Sequence, residues 1–294
     1  MVPPVRDARG SVIGMASRLR ICHETRVAYP SPAGSSYNEV RMSPLTLPTQ
    51  TVLDSRVAVT PAASLWTYWD YWGTQVTVFD LTDSHTSLSL RATSLVETAP
   101  PTPLPPPLDR AEIAARSTDS RLTEYLAATS RTTVSPDLAA QARSAAEGLD
   151  AHQAAAALTD LVRERVAYTQ GSTGVHSGAQ DAWDQQAGVC QDFAHLTAAL
   201  LRAAGLPARY VSGYLHPSPD AELDQPVAGE SHAWVEYWAG EWIGHDPTNG
   251  TYPGESHVIV ARGREYGDVP PHKGVYRGAP GELPQVRVEF TRLA

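Results

Sequence analysis

Three side chains in the second half of the chain have the types and surroundings for nucleophilic chemistry: Cys190, His232 and Asp246. Cys190 opens a stretch in which Phe193, Leu196, Leu200 and Ala203 recur at helical spacing. Gly188, two residues before it, suits a tight turn because glycine reaches backbone angles closed to other residues. Gly205-Leu206-Pro207 offers a C-cap glycine and a proline to stop the helix. The cysteine then sits at a helix N-terminus, where unpaired N–H groups and the positive end of the dipole favour a thiolate. Such a setting can lower a cysteine pKa by about one to several units from about 8.5. Most free cysteines are buried small hydrophobes, so what surrounds Cys190 decides between the two readings.

The stretch from Ser231 to Thr248 reads as a β-hairpin, with aromatic and β-branched residues on either side of Gly240. A three-residue loop, Trp238-Ala239-Gly240, puts Tyr237 opposite Glu241 and His232 directly opposite Asp246. Opposed residues point to one face with Cβ atoms about 4.5–5.5 Å apart. A two-residue loop would send the two side chains to opposite faces. The three-residue reading brings a carboxylate to an imidazole, where it can fix the ring tautomer and stabilise an imidazolium. Pro247 ends the strand.

The segments GVCQDFAHLTAALLRAAGLPARYVSGYL, SHAWVEYW and EWIGHDPTNG, in that order, resemble the transglutaminase-like superfamily. The resemblance implies a papain-like α+β core, a cysteine helix packed on an antiparallel sheet, and a catalytic triad of Cys190, His232 and Asp246. It implies thiol-dependent acyl transfer on peptide or protein amides. The acyl group passes to water in a protease, amidase or deamidase and to an amine in a cross-linking enzyme; hydrolysis is the favoured expectation. The backbone N–H of Cys190 is the expected oxyanion donor, and Trp183, Gln185 and Gln186 are open candidates for a second. The reading from another class is a non-catalytic binding module that keeps the fold.

The elements that must position these residues occupy a chain of 294 residues, a length that suggests about two domains. Its hydrophobic content of 42% is that of a soluble globular protein. A net charge of −9, from 23 basic and 32 acidic residues, argues against nucleic-acid and anionic-membrane partners. Two cysteines, Cys22 and Cys190, make no disulfide framework, so the expected compartment is the cytoplasm. Residues 1–14 lack apolar periodicity and read as a disordered tail, with Met15 as an alternative start.

Residues 15–98 read as an N-terminal β domain, a small antiparallel sandwich that begins with the alternating run Arg18 to Val27. ICHETRVAYP, SSYNEVRMSP and DYWGTQVTVFD resemble the domain that often precedes bacterial transglutaminase-like cores. On the first strand Cys22 is expected in the core and His23 toward solvent. Trp66, Tyr68, Trp69, Tyr71 and Trp72 are expected to pack in the core and along an inter-domain seam, with a recognition surface as the alternative. Residues 99–108 form a proline-rich linker, expected to act as a semi-rigid spacer. The catalytic domain spans 109–294. It should hold a short helix in 121–130, a helix N-capped by Ser135 with Pro136 at N1, and a helix from Ala151 to Val166. Tyr168 to Gly178 should be a loop near the cleft, and Ala208 to Leu215, Ser256 to Arg262 and Gln285 to Arg292 strands. The loop from Arg262 to Pro271 is placed near the active site by resemblance alone.

A zinc site from Cys190, His195, His232 and His245 matches neither the HExxH nor the CxxC pattern. His195 lies about 140° further round the helix than Cys190. No metal and no cofactor is expected. His245 should face away from His232, while His176, His216, His257 and His272 are expected to be exposed or structural.

Overall fold

Strand-forming alternation dominates both ends of the computed structural model, which describes residues 17–118, 120–174, 177–218 and 221–293. The tail through Gly14, Met15 and His176 lie outside the described residues. The first third forms β1 (Ser17–Ala33), β2 (Ser36–Val40), β3 (Gln50–Thr60), β4 (Trp66–Trp69), β5 (Gln75–Leu81) and β6 (His85–Thr98). Then come α1 (Arg110–Arg116), α2 (Ser120–Thr123), α3 (Pro136–Ala145), α4 (Ala151–Arg165), β7 (Ala167–Tyr168), α5 (Ala179–Gln185), β8 (Ala187–Gly188) and α6 (Cys190–Ala203). The last third supplies β9 (Ala208–Leu215), β10 (Pro226–Trp238), β11 (Trp242–His245), β12 (His257–Gly263), β13 (His272–Tyr276) and β14 (Gln285–Arg292). No described helix is long and apolar enough to cross a membrane.

An eight-stranded antiparallel sheet runs β12-β9-β10-β14-β1-β6-β3, with β11 paired to β10. A second sheet of four strands runs β13-β2-β5-β4. Its inner face packs on the far ends of β1 and β6, where Val27, Tyr29, Leu88 and Leu90 meet Val40, Phe79 and Leu81. These two layers are the expected sandwich, with strand β13 from the last third of the chain added to its edge. Helix α6 packs on β9 and β10 of the long sheet, α3 and α4 pack on α6, and this α+β arrangement is the expected fold class.

The period-two pattern of β1 holds, but with the opposite parity at its centre. Leu19, Ile21, His23, Thr25 and Val27 are buried, and Cys22 is half-buried on the other face. His23 is therefore a core residue rather than a solvent-facing neighbour. Its ring contacts the Tyr214 hydroxyl at 3.0 Å and Thr25 Oγ1 at 3.2 Å, and burial lowers its pKa to about 4. A histidine reads as polar in an alternating pattern, yet two hydroxyl partners make its burial tolerable.

The aromatic stretch also departs from expectation. Trp66, Tyr68, Trp69 and Tyr71 are exposed, at 57%, 42%, 64% and 77%. Strand β4 is the edge of the four-stranded sheet, and all four of its side chains are exposed. Only Trp72 turns inward, onto Tyr125, which meets Trp242 in turn. The proline-rich segment is docked along the body rather than spanning solvent. The Pro105 carbonyl meets His152 Nε2 at 2.8 Å, and Leu108 N–H donates to the Ala239 carbonyl at 3.0 Å.

Candidate active site

Helix α6 begins at Cys190 because the chain before it is tied down on both sides. Asp192 Oδ2 accepts the Val189 N–H at 2.8 Å, the reciprocal half of a capping box, and Thr173 Oγ1–H at 2.5 Å. Thr173 belongs to the loop that follows β7, whose Thr169 N–H donates to the Gly188 carbonyl at 2.9 Å. Gly188 is needed here for space rather than for its backbone angles. A Cβ on it would lie 2.7 Å from the Asp192 Cβ, and its φ is not in the left-handed region. That region is used at Gln186, φ 55°, at the end of α5. Helix α6 stops as expected: Gly205 takes φ 81°, Gly205 N–H donates to the Arg202 carbonyl and Leu206 N–H to that of Leu201, both at 2.9 Å. These ends fix the helix in a core shared with Val235 and Tyr237 of β10, next to His232.

The hairpin has a three-residue loop, but it is Ala239-Gly240-Glu241, with Gly240 at φ 111°. Trp238 stays in the strand, where its N–H donates to the Pro207 carbonyl at 2.9 Å, and pairs with Trp242. Moving the loop by one residue moves every pairing by two. His232 and Asp246 are thus diagonal rather than directly opposed, and they keep a common face because side chains alternate with period two. His232 Nε2–H donates to Asp246 Oδ2 at 2.8 Å. Its ring stacks on Trp234, with centroids 5.9 Å apart, and also hydrogen-bonds Cys190. With Nε2 committed to Asp246, Nδ1 is the nitrogen left for the sulfur.

Asp246 has no exposed surface and five hydrogen-bond donors. Oδ2 accepts from His232, from Asn249 Nδ2 at 2.7 Å and from His257 Nε2 at 3.1 Å. Oδ1 accepts the backbone N–H groups of Thr248 at 3.0 Å and Asn249 at 3.3 Å. Burial opposes the charge, but these bonds outweigh it and hold the carboxyl well below the usual carboxylate range. Burial also works against a charged His232; the hydrogen bonds and charges of Asp246 and Cys190 prevail and raise its pKa to about 9. Sulfur, imidazole and carboxylate form a line in which an imidazolium is the favoured state of the ring at neutral pH.

The other candidate residues separate cleanly. His195 is fully buried, and its Nε2 accepts the Tyr266 N–H at 3.0 Å; burial lowers its pKa to about 3. It thereby pins the 262–271 loop to helix α6. His245 points away from His232, edge-on to Tyr252 at 4.9 Å, and burial lowers its pKa to about 4. Neither joins a ligand set with Cys190. The one grouping with ligand atoms close together among the described residues is His232, Asp246 and His257, within 4.8 Å. Two of those atoms donate protons to the third. Trp183 lies under the Arg165 guanidinium, and no hydrogen bond among the described residues joins Trp183, Gln185 or Gln186 to Cys190.

His257 and Asn249 are the site residues that sequence reasoning missed. Asn249 stood within the EWIGHDPTNG segment, three residues after Asp246, a spacing that allows a side chain to return to the carboxylate. Nothing local marks His257, because its place depends on how β12 pairs with β9. A cleft of about 520 Å³ opens at the site, lined by Tyr168, Leu215, Pro217, Glu230, His232 and Thr248 among others. Burial, Cys190 and Glu230 together raise the Tyr168 hydroxyl pKa.

Comparison with known proteins agrees with this architecture. Residues 137–247 match the model of the transglutaminase-like superfamily, and residues 19–97 match that of the bacterial transglutaminase-like N-terminal region. An uncharacterized protein of Mycobacterium leprae (strain TN) is 43% identical over 277 residues, covering 94% of this chain and 99% of that one. A protein-glutamine gamma-glutamyltransferase of Pseudomonas aeruginosa is 34% identical over 139 residues, 43% of this chain and 20% of that protein. Among solved structures, a Cytophaga hutchinsonii protein described only provisionally as a cysteine protease superposes with a TM-score of 0.76. The match is at 24% identity and covers 95% of this chain and 91% of that one, a likeness of fold. The chain belongs to the transglutaminase-like superfamily and carries the bacterial N-terminal region ahead of the core.

Proposed function

We propose that the protein is a cysteine-dependent acyl-transfer enzyme acting on peptide or protein amides, with Cys190, His232 and Asp246 as its triad and water as the usual acceptor. The observation that carries this reading is the His232–Asp246 contact of 2.8 Å, on a ring that also bonds the sulfur at the start of helix α6. As thiolate, Cys190 Sγ adds to the amide carbonyl carbon. The oxygen of the tetrahedral adduct accepts the Cys190 backbone N–H. As the adduct collapses, the C–N bond breaks and His232 gives its proton to the departing amine. Water then attacks the thioester with His232 as base, and the acid leaves as the thiolate returns. Asp246 keeps the ring oriented throughout. Every proton and electron pair in this sequence comes from these side chains, a backbone N–H, substrate and water.

The second reading, transfer to an amine with cross-linking, draws on the Pseudomonas relative named as a glutamyltransferase. Water is preferred because the cleft is open to solvent along Tyr168, which is 47% exposed. A reducing compartment, the cytoplasm, suits two free cysteines. The test is to incubate the protein with glutamine-containing and other peptide amides, with and without a fluorescent primary amine, and to follow products by mass spectrometry. Hydrolysed product that vanishes in Cys190→Ala is expected. Dominant amine incorporation would establish the cross-linking reading, and binding without turnover would favour the binding module.

A further inference from the structure

His257 lies outside the three segments that carry the cysteine, the first histidine and the aspartate, yet its ring reaches the same oxygen as His232. Its Nε2 is 3.1 Å from Asp246 Oδ2, and His232 Nε2 is 2.8 Å from that atom. On its other side, His257 Nδ1 accepts the Gly254 N–H at 3.3 Å. A backbone N–H can only be met by a lone pair, so Nδ1 is unprotonated, Nε2 carries the hydrogen, and the ring is neutral. Trp234 packs against both imidazoles. It stacks on His232 at 28° and meets His257 edge-on at 81°, and the two imidazole centroids are 6.1 Å apart.

We propose that His257 is a positioning residue of this site: its Nε2–H holds Asp246 Oδ2 beside His232 and limits how strongly that carboxylate can draw on the His232 proton. The proposal rests on the triad reading above and deepens it. A carboxylate desolvated this fully, with His232 as its main partner, would hold the imidazolium tightly and make it a poor acid toward a leaving amine. Each additional N–H spreads the anion's charge and weakens its pull. His257 is a donor that does this without adding charge.

Tyr168 and Glu230 line the same cleft as His232. Cys190 of α6 meets His232. Burial lowers the His245 pKa to about 4, and its charged neighbours are Asp246 and, from α4, Asp160 and Arg163. None of these stands between His257 and Asp246.

The experiment is a histidine-ring titration by NMR on 15N-labelled full-length protein, in the unmodified form and in His257→Phe and His257→Gln. Phenylalanine keeps a ring and removes the N–H, whereas glutamine can restore a donor. In the unmodified protein the neutral His257 ring should show the Nε2–H tautomer. In His257→Phe the His232 titration should move up in pH, so that about three- to tenfold less neutral ring is present at a given pH. His257→Gln should return it most of the way. An Nδ1–H tautomer, an unmoved His232 titration, or a fall toward that of a free imidazole would each overturn the proposal. Should His257→Phe fail to fold, the tautomer in the unmodified protein still decides. The readout is not turnover, so failure to hydrolyse amides would sink the functional reading and leave this one standing.

Discussion

Asp246 shows how a carboxylate without exposed surface stays ionised: five N–H groups from two histidines, an asparagine side chain and two backbone amides surround it. The charge it retains is what raises its partner's pKa, and this has a measurable consequence for stability. A histidine whose pKa is raised on folding, from 6.5 to about 9 in His232, binds its proton more tightly in the folded state. Its contribution is fully present below pH 6.5 and fades as pH climbs through about 9. The unfolding free energy of the protein should therefore exceed that of His232→Ala most at pH 6, with the gap narrowing toward pH 9.5 in urea titrations. A constant gap would mean the ring is not held as an imidazolium. In the same pH 6 buffer, iodoacetamide should modify Cys190 faster than Cys22, and His232→Ala should remove the difference. The residue types at Cys190, His232 and Asp246 were legible because each motif is local and its face follows from parity. His257 was not, since only the β9–β12 pairing delivers it, and the burial of His23 depended on a hydroxyl from a strand nearly two hundred residues away.

At the scale of elements, the start of helix α6 depends on a glycine for a reason that sequence alone concealed. Gly188 lies against Asp192, so Gly188→Ala pushes a methyl group to 2.7 Å from the Asp192 Cβ. The clash should cost about 1–3 kcal/mol, the range for overpacking, and loosen the cap that presents Cys190. Thermal unfolding should report the loss. An unchanged melting temperature in Gly188→Ala would show that the approach is not tight. The hairpin offers a parallel lesson. Its loop length and the shared face of His232 and Asp246 were readable, while the register was displaced by two because Trp238 binds the Pro207 carbonyl, a contact from another part of the chain.

Across the whole molecule, β14 is the joint between the two halves. It pairs with β1 along Leu19–Arg26 and with β10 along Pro226–Gly229, so the first and last thirds share one sheet. Phe290 anchors it, fully buried against Gly229, where a Cβ would meet the ring at 2.3 Å. Phe290→Ala should cost about 3–5 kcal/mol and should shift the unfolding of β and helical signals together. Separate transitions would show that the halves are independent. Linker composition and strand runs were legible, but the interleaving was not: nothing in the run Gln285 to Arg292 says which two strands it will lie between.

That joint also sets an order of events during synthesis. A ribosome delivers β1 first and β14 last among the strands of the shared sheet, with Cys190, His232 and Asp246 emerging between them. Until residues 285–292 are free of the exit tunnel, β10 and β1 have no strand to join them, and each presents an open edge. The hairpin that carries the histidine and the aspartate is then only partly supported until that strand emerges. Timing alone would keep the thiol of a nascent chain in a less ordered setting until the last of these strands is in place.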